Sequence, residues 1–189
     1  PYSVTEFIVH KDELGSVPRT LEDMSFLIYS ISRSSVWQMG GVSIYIRHTT
    51  DSILTSGTYS ENDLANYTLV WGEQPLDIRG WYREWKTFMF DSPFEYNGKD
   101  HIKILMRHRN TAYVNAYYYY ATTYVYGRGY LMRSGYSSNM LPPTSYNSIY
   151  TYRPFIVFNR PDGAPYNWTP ISDNEHALAC LYSPRYSGG

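Results

Sequence analysis

The feature that most limits what this chain can become is an alternation of side chains with a period of two. Val42, Ile44 and Ile46 alternate with Ser43, Tyr45 and Arg47, and residues 101–109 repeat the pattern with Ile102, Ile104 and Met106 against Lys103, Leu105 and Arg107. Such a period sends successive side chains to opposite faces of a strand. No window keeps an apolar period near 3.6 for three turns, and the best helical candidate, residues 20–23, is too short to matter. Further strands are predicted over 4–10, 21–32, 66–72, 85–91, 113–126, 154–159 and 176–182, with the 85–91 strand stopped by Ser92 and Pro93. Turn residues separate them at Gly40-Gly41, Asn97-Gly98, Gly127-Arg128-Gly129, Pro142-Pro143 and Asp162-Gly163. Asn-Gly suits a tight type I′ turn, so the stretch 85–96 is expected to pair antiparallel with 101–109. The expected fold is all-β, a single β-sandwich of jelly-roll type with about nine antiparallel strands and a C-terminal extension. Residues 1–160 form the sandwich, and 161–189 form a linker plus a terminal strand.

Composition then removes several function classes. The chain has 189 residues, with 16 Lys+Arg against 17 Asp+Glu. This balance leaves no basic excess for nucleic acid, and no partner of that kind is expected. Two long stretches, 110–127 and 134–152, lack Asp, Glu, Lys and Arg, but their Tyr, Ser, Thr and Asn would not enter hydrocarbon, so no membrane span is expected. A single Cys excludes an internal disulfide and a Cys-based zinc cluster. The five His (His10, His48, His101, His108, His176) show no metal-ligand spacing, and no nucleophile-elbow or phosphate-loop motif is present. Asp91, Glu95, Asp77, Glu84 and Glu73 lie in or beside aromatic segments without marking a pair at the separation glycoside hydrolysis needs. The chain is therefore not read as an enzyme. No cofactor is expected; a structural calcium ion held by loop carboxylates such as Asp51, Glu61, Asp63, Asp162 and Asp173 is left open.

Several segments resemble a known module. Residues 42–50 resemble its "IYLGHT" strand, and Tyr67, Thr68, Leu69, Val70 and Trp71 resemble its "LVY" strand. Residues 85–98, with Asp91, Pro93, Phe94, Tyr96, Asn97 and Gly98, resemble its D-x-P-F-x-Y-N-G hairpin, and Arg153, Pro154, Phe155 and Ile156 its closing "RPNI" strand. The module is a jelly-roll-like β-sandwich of secreted and surface-anchored proteins of Bacteroidetes-type bacteria, and the resemblance covers roughly residues 2–159. It implies a non-catalytic domain outside the cell or on its surface.

Tyrosine is the compositional outlier, 22 residues against 7 Phe and 5 Trp. In a strand Tyr117 and Tyr119 face one way and Tyr118 and Tyr120 the other, so one aromatic face is left for a contact beyond the domain core. Tyr124 and Tyr126 extend that stripe. The leading expectation is a structural subunit of an extracellular or surface homopolymer, a filament, tube or coat, whose partners are copies of itself. The 176–182 strand either closes its own sandwich or is donated to a neighbour's edge, which would make Leu178 and Cys180 contact residues. The alternative is a carbohydrate-binding or adhesive module for surface glycans, with Trp81, Tyr82 and Trp85 stacking on sugar rings and Trp81 and Tyr82 exposed in a loop.

Overall fold

The computed structural model describes residues 2–31, 38–77, 79, 81, 83–109, 118–120, 122–124, 129–138 and 141–159. Its elements run β1 (Tyr2–Val9), α1 (Lys11–Leu14), β2 (Arg19–Ile31), β3 (Gln38–Thr49), a 3-10 helix (Glu61–Asn66), β4 (Thr68–Asp77), β5 (Glu84–Tyr96) and β6 (His101–Arg109). Then follow β7 (Tyr118–Tyr120), β8 (Thr122–Tyr124), β9 (Met132–Ser137), β10 (Ser148–Tyr150), β11 (Tyr152–Pro154) and β12 (Ile156–Phe158). A six-stranded sheet has the order β10-β9-β1-β6-β3-β4. In a second sheet β5 flanks β2 on one side while β12 and β7 flank it on the other, and β8 pairs with β11. Every described pairing is antiparallel, and the arrangement is sandwich-like.

The alternation read in residues 42–46 and 102–106 sets this architecture. Ile44 pairs with Met106 and Ile46 with Ile104 across the β3–β6 ladder, and Phe7 faces Ile104 across β1–β6. These residues join Met24, Phe26, Phe88 and Phe158 of the second sheet in one core. Phe88 is the aromatic hub: its ring meets Phe26 at 5.5 Å, Trp71 at 5.1 Å and Trp81 at 6.2 Å, all edge-to-face. That geometry sets the positive ring edge against a negative face.

Several expectations need correction. Residues 20–23 lie inside β2, because their partners are cross-strand, Leu21 on Phe94 and Asp23 on Met89. Ser92 and Pro93 do not end β5. They sit in a bulge, where residues 90–93 face only Glu22 between the Leu21–Phe94 and Asp23–Met89 pairs. A bulge tolerates the missing proline N–H. Residues 85–96 and 101–109 do not pair with each other: β5 bonds to β2, and β6 bonds to β1 and β3. Among the described residues positive φ outside glycine occurs only at Arg83 and Asn159, so Asn97 does not adopt a type I′ turn. Its Oδ1 instead accepts from the N–H groups of Lys99 (2.9 Å) and Asp100 (3.1 Å), an Asx-type loop that arches from one sheet to the other. Gly98 (φ +71°) is required there, since a Cβ would meet the Ser16 carbonyl at 2.7 Å. Strands β9 and β10 went unread in the sequence. The 176–182 strand lies outside the described residues.

Candidate functional site

The second face of the six-stranded sheet is not a solvent face. Three rows cross β1, β6 and β3: Val4–Arg107–Ser43, Glu6–Leu105–Tyr45 and Ile8–Lys103–Arg47. The connection 50–67 lies over them, and Tyr59 joins Tyr2, Val4, Tyr45, Leu105 and Tyr146 in a second apolar cluster with Leu64 and Tyr67 against it. Burying this face means burying its charges, and buried charge must be paired.

Two carboxylates organise the pairing. Glu6, 1% exposed, accepts from the Tyr67 hydroxyl at one oxygen and from Arg133 Nε at the other (2.6 Å). Glu61, from the 3-10 helix, accepts from the Tyr2 and Tyr59 hydroxyls at Oε1 and from Arg107 Nη1 (3.0 Å) at Oε2. Arg107 Nη2 reaches on to Glu73 in β4 (2.9 Å), which also takes Arg109 (2.8 Å). Lys103 holds Asp51 at 2.5 Å. Burial would raise the Glu61 pKa, but the Tyr2 and Tyr59 hydroxyls and Arg107 outweigh it and hold the group below the usual carboxylate range. The Lys103 hydrogen bond lowers Asp51, against some desolvation. Burial, assisted by the adjacent carboxylates, pushes the Tyr2, Tyr59, Tyr67 and Tyr146 hydroxyls well above an ordinary phenol.

A cleft of about 220 Å³ opens into this cluster, lined by Arg47, Tyr67, Tyr59, Tyr146, Arg133 and Glu6, with the exposed Asp63 and Asn66 at its mouth. The guanidinium of Arg133 lies 3.8 Å from the Tyr146 ring centroid, and that of Arg47 lies 4.6 Å from the Tyr67 centroid. The carboxylates that could have acted as bases are committed: both oxygens of Glu6 and of Glu61 accept from donors. Among the described residues no three His, Cys, Asp or Glu side chains gather as a metal site. Of the loop acids considered for calcium, Asp51 and Glu61 are taken by Lys103 and Arg107, and Asp162 and Asp173 lie outside the described residues. The arrangement gathers paired charges and tyrosine rings around one cleft.

The chain matches no family model, no curated protein and no solved structure.

The residues singled out from sequence are placed as follows. Trp81 and Trp85 are 7% and 8% exposed; Trp81 meets Phe88 with the Lys86 ammonium over its ring, and Trp85 packs on Phe155 at 5.5 Å. Their rings are spent in the interior, where Trp81 had been expected in an exposed loop. Tyr82, Tyr117, Tyr126, Leu178 and Cys180 lie outside the described residues. Tyr118, Tyr119 and Tyr120 are β7, in register with Ile31, Ser30 and Ile28 of β2, and Tyr124 pairs with Tyr152. Strand β7 thus lies beside β2, and β8 beside β11. The buried network itself was missed, although its signal was available. Tyr45 and Leu105 sit mid-strand among the polar residues of 43–47 and 103–107, and a face carrying both is a poor solvent face.

Proposed function

We propose that the chain is a structural subunit of an extracellular or cell-surface assembly of identical copies, with a sandwich of jelly-roll type as its building block. One observation carries this reading: a group of partly exposed tyrosines, Tyr130, Tyr150 and Tyr152, on neighbouring segments. Tyr124 faces Tyr152 across the β8–β11 ladder, and the Tyr152 ring lies 5.0 Å from that of Tyr150. The Tyr150 carbonyl accepts from Leu131 N–H (2.8 Å), which brings in Tyr130, 46% exposed, and Tyr130 is hydrogen-bonded through its carbonyl to Leu54, beside the exposed Ile53. Partly exposed phenol rings such as those of Tyr130, Tyr150 and Tyr152, each with a polar tip, suit a wet protein contact.

The sheet edges support contact through rings more than through added strands. The two long edges, β4 and β5, carry Pro75 and Pro93, and the bulges beside them break the ladders. These are the usual guards against strand addition. The tail proposed for donation, 161–189, lies outside the described residues.

Analytical ultracentrifugation over a wide concentration range, with electron microscopy of the same samples, tests the reading. Self-association is expected, and a Tyr130→Ser/Tyr150→Ser variant with unchanged circular dichroism should dissociate. A wild-type protein that stays monomeric at the highest concentration would overturn it.

A further inference from the structure

Among the cations of the second face, Arg47 stands apart. Lys103, Arg107, Arg109 and Arg133 each hold a carboxylate, at 2.5, 3.0, 2.8 and 2.6 Å respectively. Arg47 forms no ion pair and no hydrogen bond among the described residues, and its Nε is buried without a partner. It neighbours Lys103 across the β3–β6 ladder; of the acids around it, Asp51 is bound to Lys103, Glu6 is bound to Arg133 and Tyr67, and Asp63 stands at the cleft mouth. Its guanidinium lies over Tyr67 and lines the 220 Å³ cleft. A guanidinium with no ion pair among the described residues, beside cations that each have one, can take a ligand carboxylate, because its planar fork matches a carboxylate at two points.

The rest of the cleft narrows the ligand. Its volume is below the usual range of drug-sized pockets, roughly 300–1,000 Å³, which points to a single small ring or less. The lining is mostly polar; the rings of Tyr59, Tyr67 and Tyr146 with Leu105 supply its smaller apolar part, while Asp63 and Asn66 at the mouth can accept from ligand hydroxyls. We propose that this cleft binds the carboxylate of a sugar acid, with Arg47 as its anion-binding residue and the tyrosine walls enclosing the ring. The inference is independent of the assembly reading and uses none of the same residues.

Titration of the full chain with D-glucuronate and D-galacturonate, followed by calorimetry and by amide chemical shifts, tests it. At least one should bind saturably and shift the amides of residues 45–47, 59–67 and 146. D-glucose and acetate should bind at least about tenfold more weakly, since each lacks one half of the recognition. Arg47→Met, whose aliphatic stem still covers Tyr67, should abolish binding, and Arg47→Lys should weaken it about tenfold by replacing the fork with a point charge. Absence of saturable binding by both acids would overturn the proposal. So would equal binding of glucose or acetate, or undiminished binding by a folded Arg47→Lys or Arg47→Met protein.

Discussion

The two faces of the six-stranded sheet are built from the same strands, and both are buried, but they are buried by opposite means. On the inner face Phe7, Ile44, Ile46, Ile104 and Met106 meet the apolar side chains of the second sheet in one core. On the other face Glu6, Lys103 and Arg107 lie among Tyr2, Tyr45 and Leu105 under the 50–67 connection, and each charge is held by a named partner. The inner face tolerates any well-shaped apolar neighbour, whereas the other requires particular donors at particular places. Stability tied to hydrogen-bonded charge responds to pH; stability tied to volume responds to cavities.

The largest effect should separate the two faces by alkali. Tyr2, Tyr59, Tyr67 and Tyr146 have hydroxyls whose folded pKa lies above the unfolded value of about 10. Their contribution is fully present below that pH and is lost as pH rises above it, by about 1.4 kcal/mol per pH unit for each hydroxyl that stays neutral in the fold. Phenolate absorbance should therefore appear together with the loss of circular dichroism, in one cooperative step. Separate, gradual titration in a folded protein would show that the cluster is open to water.

Next in size is the inner face. Phe88→Ala removes a ring that three others contact, and should cost about 3–5 kcal/mol in urea unfolding with little change in pH response. Glu6→Gln strands the Arg133 cation and should cost about 3 kcal/mol, while Glu6→Met with Arg133→Met should recover most of that loss. A double variant as unstable as the single one would mean that the pair does more than satisfy itself. The smallest effect belongs to His48. Its Nε2 accepts from the Asn97 N–H (3.1 Å), and burial lowers its pKa against the pull of Asp100. Because the folded pKa is the lower one, stability should decline gently as pH falls below about 6.5, and His48→Gln should flatten that slope.

Much of the sandwich was legible because its strands alternate. The faces of residues 42–46 and 102–106 are those read from the sequence, and the bounds of β6 coincide with the predicted ones. What stayed hidden depended on partners distant in sequence. Strand β9 pairs Gly135 with Val4, and nothing local in a stretch so rich in Ser and Gly announces that partner. Asn97-Gly98 has the composition of a hairpin, yet His48, from another strand, takes the Asn97 N–H and turns the chain toward the other sheet. Proline in β5 resembled a stop because pairing elsewhere is needed to see a bulge; its Asp91 carboxylate accepts from Gly72 N–H (2.7 Å) in β4. Of the candidate cleft, the strands bearing Glu6, Arg47 and Leu105 could be placed from the sequence, but not their meeting in one cleft. The rest of its walls come from β9, the 50–67 connection and the segment around Tyr146.

The position of the last strands bears on how this protein is made. Tyr2 finds its ladder partners at Arg109 and Ser137, β12 seals the flank of β2, and Arg153 reaches back to the Glu13 carboxylate. A ribosome-bound chain must therefore emerge almost to residue 158 before either layer is complete, and until then β2 offers an open flank to other nascent chains. Fold acquisition here should be late, slow and sensitive to crowding on the polysome, a demand that chaperones acting on newly made protein would have to meet.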